Sequence, residues 1–518
     1  MASTSPFHDL TPYFAYTLLT ATIGPLLFGY HLAELNAPQD VITCQRDSIS
    51  GSAFARFVTY FKEHKEQHSG VAGLPQCIEM NPTQFGLVSS FFTLGGLIGA
   101  LSAGPFGAKY GRLRTMLFNT VFFTIGPILE ALAPNIGTMT LGRFISGLGA
   151  GAAVVIVPLY ISETAPPRSK GFFGAFTQIM TNVGILITQV LGYFLSKGSL
   201  WRIILGVGGA FGALQAVGLL LGGQESPRWM ADHGKPSGAK KALRKLRGHR
   251  VDIEEEVESW GTNQDEEHME DEEEALISNR DNSAVNEHTN NTTSATKSTM
   301  IEPLTIFSVL KDSNSRPAIL AVTTVMVGQQ LCGINSIVMY GVSLLADLLA
   351  SNSALLNIMV AVLNIVVTTA SAPLTDKLGR KPCLLASTAG MGTSSLLLAF
   401  GIIKHLPILS GVAVLLFVAS FGLGLGPVPF ILSSELVGPE AVGATQSWAL
   451  AANWIATFVV AQFFPVLSEK VGKGQVYFLF AGFALVFGLF VAWYVPETKG
   501  KANADEVWGR GKVGGRED

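Results

Sequence analysis

Polar residues fall in this chain in blocks, and the stretches between them are continuously apolar. Runs of about 20 apolar residues recur, each long enough to cross about 30 Å of hydrocarbon. Twelve such runs stand near 12–32, 83–104, 115–133, 138–160, 170–195, 201–222, 318–345, 353–374, 383–403, 408–433, 443–468 and 476–495. Strands of a membrane barrel would instead alternate over segments of about ten residues. The pattern therefore predicts an all-α membrane protein with twelve transmembrane helices. The first run is too long for the apolar core of a signal peptide, no basic segment precedes it, and no small-residue cleavage site follows. It is expected to remain as the first span.

Composition agrees. Only 14% of the 518 residues are charged and 48% are hydrophobic, where a soluble protein carries about a quarter charged residues. The net charge of −3 says little, because the charges are segregated. Lys109, Arg112, Arg114, Arg168, Lys170, Lys377, Arg380 and Lys381 fall in the even-to-odd connections, whereas the intervening ones hold mainly Lys197, Lys404, Lys470 and Lys473. The positive-inside rule puts both termini and the central loop in the cytosol. The lipid bilayer is an expected partner; nucleic acid is not. Four cysteines exclude a disulfide framework. Cys44 and Cys77 share the first loop, on the face where oxidation is permitted, and either a bridge or two free thiols fits the sequence.

Three short motifs occur twice at a nearly constant offset. KYGR at 109–112 answers KLGR at 377–380, an offset of 268 (377 − 109). SETAPPRSKG at 162–171 answers SELVGPEAVG at 434–443, and QESPR at 224–228 answers PETKG at 496–500, both offset by 272 (434 − 162; 496 − 224). This implies two six-helix bundles duplicated in parallel, over 1–222 and 318–498, with a substrate route between them and a tail at 499–518. The linker at 223–317 opens with Lys240, Lys241, Arg244, Lys245 and Arg247, where short helices are expected, and then turns acidic from Asp252 to Glu274. Like-charge runs of low hydrophobicity predict disorder over most of 260–300.

The candidate chemistry lies in GQQLCGINSIVMYG, residues 328–341. A straight helix would point Gln329, Gln330 and Asn335 at about 0°, 100° and 240° around its axis. A break at Gly333 would swing Asn335 toward the other two, as discontinuous helices do at midplane sites. The alternative is interhelical amide bonding, which averages well below 1 kcal/mol in one measured membrane protein. No span pairs a nucleophile with a base and no metal-ligand spacing appears, so no catalytic residue, metal or cofactor is expected and the chain is not expected to be an enzyme.

The chain resembles the sugar porters of the major facilitator superfamily, closest in pattern to the facilitative glucose transporters. The residues that carry the likeness are FGY with NAP at 28–38, YGR at 110–112, GRFISGLGAG at 142–151, PLYISETAP at 158–166, ESPR at 225–228, QQLCGIN at 329–335, DKLGRK at 376–381, GPVPF at 426–430 and PETKG at 496–500. The resemblance implies a small neutral sugar, a hexose, carried by alternating access. It assigns hydroxyl recognition to Gln178, Gln329, Gln330, Asn335 and Asn364, and Trp454 can cover an apolar sugar face. Neutral amides donate and accept, and so match hydroxyls without demanding charge. Tyr340 and Phe430 are expected at the gate or cavity wall. Phe430 stands where the family often has tryptophan, Gly422 where it has an acidic residue, and Met339 where it has a tyrosine. Arg112, Arg143, Glu163, Arg168, Glu225, Arg228, Arg380, Glu435 and Glu497 form the expected cytosolic salt-bridge gate, pairing across the cytosolic face in one conformation and separating in another.

His31 follows FGY, where proton symporters of the family carry Asp and uniporters commonly Asn, and Glu34 lies one turn on. The pair is a candidate proton site. The favoured expectation is that both are solvated at the outer mouth, which makes the carrier a facilitative uniporter. EEEALI at 272–277 fits an acidic dileucine sorting signal, with Glu272 ahead of Leu276 and Ile277. It would engage a clathrin adaptor and direct the protein to a vacuolar or lysosomal membrane, the plasma membrane being the alternative. A non-transporting sugar sensor on the same scaffold is the rival from another class.

Overall fold

The computed structural model describes residues 11–46, 73–248, 251–258, 260, 308–349, 352–438, 441–501 and 504–510. The sorting pattern at Glu272, Leu276 and Ile277 and most of the acidic segment lie outside them. The chain is all-helical among the described residues. The first six spans are α1 (Pro12–Ala33), α2 (Pro82–Tyr110), α3 (Arg112–Ala131), α4 (Ile136–Thr164), α5 (Lys170–Leu195) and α6 (Trp201–Gly222). The last six are α7, in two pieces α7a (Arg316–Leu331) and α7b (Ile334–Leu349), then α8 (Asn352–Leu378), α9 (Arg380–Ile403), α10a and α10b (Pro407–Leu423, Val428–Glu435), α11 (Val442–Val471) and α12 (Val476–Tyr494). Ten of these are long and apolar enough to cross a bilayer by composition alone; α1 and α3, at 22 and 20 residues, pack among them. Twelve spans thus agree with the apolar pattern.

Local chemistry explains their ends. Thr11 caps α1 by accepting from Phe14 N at 3.0 Å, with Pro12 pre-set for the first turn. Asn81 and Gln84 start α2 with a reciprocal capping box at 2.8 and 3.0 Å. Pro25 inside α1 has no N–H for the Ala21 carbonyl; Gln215 of α6 supplies donors to Ala21 O and Thr20 O at 3.3 and 3.4 Å. Small residues let α2 and α4 approach closely. A Cβ at Gly95 would lie 2.1 Å from Phe144 O, and one at Gly147 2.1 Å from Phe92 O.

The duplication is visible in the backbone of the face where α1 starts and α12 ends, the terminal face. Gly111 and Gly379 adopt φ of 98° and 102°, a region that a side chain would strain. Each is followed by a helix start that a distant carboxylate caps. Glu225 accepts from Arg112 N and Leu113 N at 2.8 and 3.1 Å, and Glu497 from Arg380 N and Lys381 N at 2.9 and 3.1 Å. The helix Pro236–Arg247 of the linker docks on this face, against the first six spans. Arg247 donates to Thr164 O and Ala165 O at 2.6 and 3.0 Å, satisfying carbonyls at the end of α4, and Thr11 Oγ1 donates to Leu246 O at 2.7 Å.

The two halves meet on the opposite face and halfway through. Ser90 of α2 donates to Gln462 of α11 at 2.8 Å, Asn36 enters α7b, and Asn182 of α5 reaches α8. Trp454 of α11 lies against α2, where a Cβ at Gly96 would fall 2.3 Å from its ring. On the terminal face the Arg112–Glu163 and Arg380–Glu435 pairs each lie within one half. The bonds that join the halves close the molecule on the face opposite the termini.

Candidate functional site

The amides of α7 form one connected chain. Gly333, at φ 96°, breaks the helix after Leu331 and restarts it at Ile334. That turn brings Asn335 back over Gln330, to which it donates through Nδ2. Gln330 donates to Gln329 Oε1 at 3.3 Å, and Gln329 in turn donates to Leu425 O in the break between α10a and α10b. Asn453 of α11 closes the chain, donating to Gln329 Oε1 at 2.7 Å and to Met326 O at 3.2 Å. All three α7 amides are buried, and Asn453 is partly exposed. A second chain crosses between the halves. Gln178 donates to Asn182 Oδ1 at 3.5 Å, Asn364 of α8 donates to the same atom at 3.2 Å, and Asn182 donates to Thr368 at 3.2 Å. Sequence reasoning missed Asn182, Asn453 and Phe28. A lone amide inside an apolar run, four residues after Gln178 or beside Trp454, was the available signal.

Trp454 sits edge-on to Phe28 of α1 at 5.8 Å and to Phe92 of α2 at 6.3 Å, so it packs against the other half. Tyr340 of α7b donates to Ala461 O at 2.6 Å and stacks on Phe464 at 5.3 Å. Phe430 of α10b is exposed.

The ion pairs differ from expectation in the place of Arg143. Arg112 holds Glu163 through two bonds at 2.7 and 2.9 Å, and Arg380 holds Glu435 at 2.9 and 3.2 Å, each pair within its own half. Arg228 is exposed, and the side chain of Arg168 lies outside the described set. Arg143 does not belong to the terminal face at all. It stands seven residues into α4, about 10 Å from the start of that helix at the opposite face. There it is bonded to Glu34 and donates to His31 O at 2.8 Å.

His31 and Glu34 are not solvated at a mouth. They are 0% and 1% exposed, as are Glu130 at 0% and Arg143 at 1%. His31 Nδ1 meets Glu34 at 2.9 Å, Glu130 Oε2 lies 3.9 Å from Arg143, and Ser146 donates to Glu130 Oε1 at 2.6 Å. Packing explains the burial: the imidazole stacks on Phe123 at 5.8 Å and the guanidinium covers the Phe92 ring at 4.5 Å. Two carboxylates, one guanidinium and one neutral imidazole carry a net charge of −1, so the set is neutral only with one further proton.

Residues 17–505 match the family described as sugar (and other) transporter. The chain is 34% identical to a probable metabolite transport protein, YBR241C, of Saccharomyces cerevisiae over 95% of its own length and 94% of that protein's. It is 31% identical to the vacuolar protein sorting-associated protein 73 of the same yeast, with 95% of each covered. It superposes with a TM-score of 0.72, at 22% identity and covering 96% of this chain and 99% of the other, on the inward open conformation of the xylose transporter XylE from E. coli. The matched residues 17–505 include the broken α7, the paired arginines and all three repeated motifs. The chain belongs to the sugar porter family of the major facilitator superfamily.

Proposed function

We propose that this protein moves a neutral sugar of hexose size across a membrane by alternating access, the segments 1–222 and 318–498 rocking about the amides between them. The observation that carries the reading is the pair of amide chains, one in α7 and α11, the other bridging α5 and α8. Each amide keeps donors or acceptors that a hydroxyl can replace, and among the described residues no charged group bonds to them. With the termini in the cytosol, the arrangement described here opens to the cytosol. Competition among hexoses, pentoses, polyols and disaccharides for flux in reconstituted protein tests the reading; no sugar flux sinks it. Gln330→Leu removes the link between Asn335 and Gln329 while Asn453 still holds Gln329. The expected result is a folded protein whose kcat/KM for its sugar falls at least tenfold, about 1.4 kcal/mol.

A second reading, that one proton accompanies the sugar, is favoured by the buried His31–Glu34–Glu130–Arg143 cluster. Facilitative uniport rested on His31 and Glu34 being solvated, and their burial removes that support. The cluster also touches the moving seam, since Arg143 lies on Phe92 and Phe92 on Trp454. An imposed pH gradient should drive sugar accumulation in proteoliposomes, and Glu34→Gln with Glu130→Gln should abolish accumulation; flux indifferent to the gradient returns the protein to uniport. For location, a relative named for vacuolar sorting and the pattern at Glu272, Leu276 and Ile277 support a vacuolar or lysosomal membrane. Leu276→Ala with Ile277→Ala should move a fluorescent fusion to the cell surface.

A further inference from the structure

On the face opposite the termini the halves line a half-open cavity of about 210 Å³. Three buried aromatic rings line it: Phe85 of α2, Tyr340 of α7b and Phe464 of α11. Tyr340 and Phe464 are stacked, and Phe85 stands edge-on to Tyr340 at 6.0 Å. Neutral polar groups of both halves complete the wall, Gln39 and Asn81 from the first and Ser343 from the second. The Oε1 of Gln39 is buried and has no hydrogen-bond partner. Glu469 and Lys473, of opposite charge, stand at exposed positions on the rim and leave no net charge to attract an ion. The first-half wall is pre-set. The Cys44–Cys77 disulfide ties the segment bearing Gln39 and Thr43 to the segment bearing Met80 and Asn81, and Ile78 N donates to Ile42 O at 2.8 Å.

Aromatic faces carry negative charge that suits C–H bonds, while amides and hydroxyls suit hydroxyls. Such a lining, small and neutral, fits a monosaccharide. We propose that this cavity is a second sugar site, distinct from the amide site, which takes a monosaccharide from the non-cytosolic side while the carrier is open to the cytosol. The proposal rests on the carrier reading for its ligand class and its sidedness. The consequence is regulatory. The cavity has walls from both halves, so it is dismantled when α7b and α11 swing away from α2, and its ligand binds one state only. Sugar at ten times the dissociation constant then holds the closed arrangement about elevenfold more strongly and slows the return of the carrier by that factor.

Equilibrium dialysis of radiolabelled D-glucose against the full-length protein in nanodiscs tests this. Two molecules should bind per wild-type chain and one per Ser343→Phe chain, whose ring fills the cavity; Gln39→Ala should weaken only the second site, at least fivefold. Retained D-glucose flux shows that both variants are folded. A wild type that transports D-glucose yet binds one molecule per chain overturns the second site and leaves the carrier reading intact, as does a second site indifferent to both substitutions. A wild type that carries none of the sugars in the panel but loses bound D-glucose with Ser343→Phe supports the cavity and overturns the carrier reading.

Discussion

Replacing Arg143 with methionine should destabilise the protein by about 3–5 kcal/mol, the cost of leaving buried charge without its partner. The guanidinium is 1% exposed and serves Glu34, the His31 carbonyl, the Phe92 face and, at 3.9 Å, Glu130. Methionine fills much of the volume but answers none of the charge, so Glu34 and Glu130 would face each other with only Ser146 and His31 as donors. The control is the triple variant Arg143→Met, Glu34→Gln, Glu130→Gln. With the charges removed together, most of the loss should return, because the penalty belongs to the unpaired carboxylates and not to the missing volume. Thermal unfolding in detergent measures both. If the single and triple variants unfold alike, the four residues do not act as one electrostatic unit, and the proton reading loses its foundation.

The cluster also marks the limit of what the sequence disclosed. The spans were legible because each apolar run must satisfy its own backbone in lipid, and continuous hydrophobicity records that directly. The break at Gly333 was legible too, since three amides aimed in three directions make little sense on an unbroken helix. Arg143 was misplaced. α4 starts at the face opposite the termini, so an arginine near its start cannot reach the terminal face. Counting along the span would have shown this. Glu130 could have been noticed inside the third apolar run, yet nothing in its neighbours names Ser146 or Arg143 as partners. Asn182, Asn453 and Asn36 make contacts 100 or more residues away. Helix packing alone sets such pairs. The intra-half pairing of Arg112 and Arg380 is of the same kind, because one sequence must serve two arrangements and records neither.

Asn36→Ala should shift the carrier away from the arrangement seen here by about tenfold to a hundredfold, the largest conformational effect expected of a single side chain. Asn36 is buried and belongs to the first half, yet its side chain bonds only the second. Its Nδ2 donates to Val338 O at 2.8 Å and to Asn357 Oδ1 at 3.3 Å, and its Oδ1 accepts from Val342 N at 2.9 Å. Val338 C=O and Val342 N–H are four residues apart, the two groups that a helix joins to each other. Asn36 therefore occupies one rung of α7b. When the halves part on this face, α7b can close that rung itself, so opening strands no backbone group. Alanine removes the cross-half bonds from the closed state alone, at about 0.5–1.5 kcal/mol each, while the helix loses nothing. Overall stability should stay within about 1 kcal/mol of wild type, which separates this effect from simple damage. Cys44 and Cys77 are bridged and Cys332 and Cys383 are buried, so a cysteine placed at Ala361, itself buried where α8 packs against Ala33 and Ile185 of the first half, reports with little background. An impermeant maleimide added on the side opposite the termini should label Ala361→Cys at least ten times faster once Asn36→Ala is present. An unchanged rate would mean that the seam between α2 and α11, with Trp454 against Gly96, holds this face shut without help from the α7b rung.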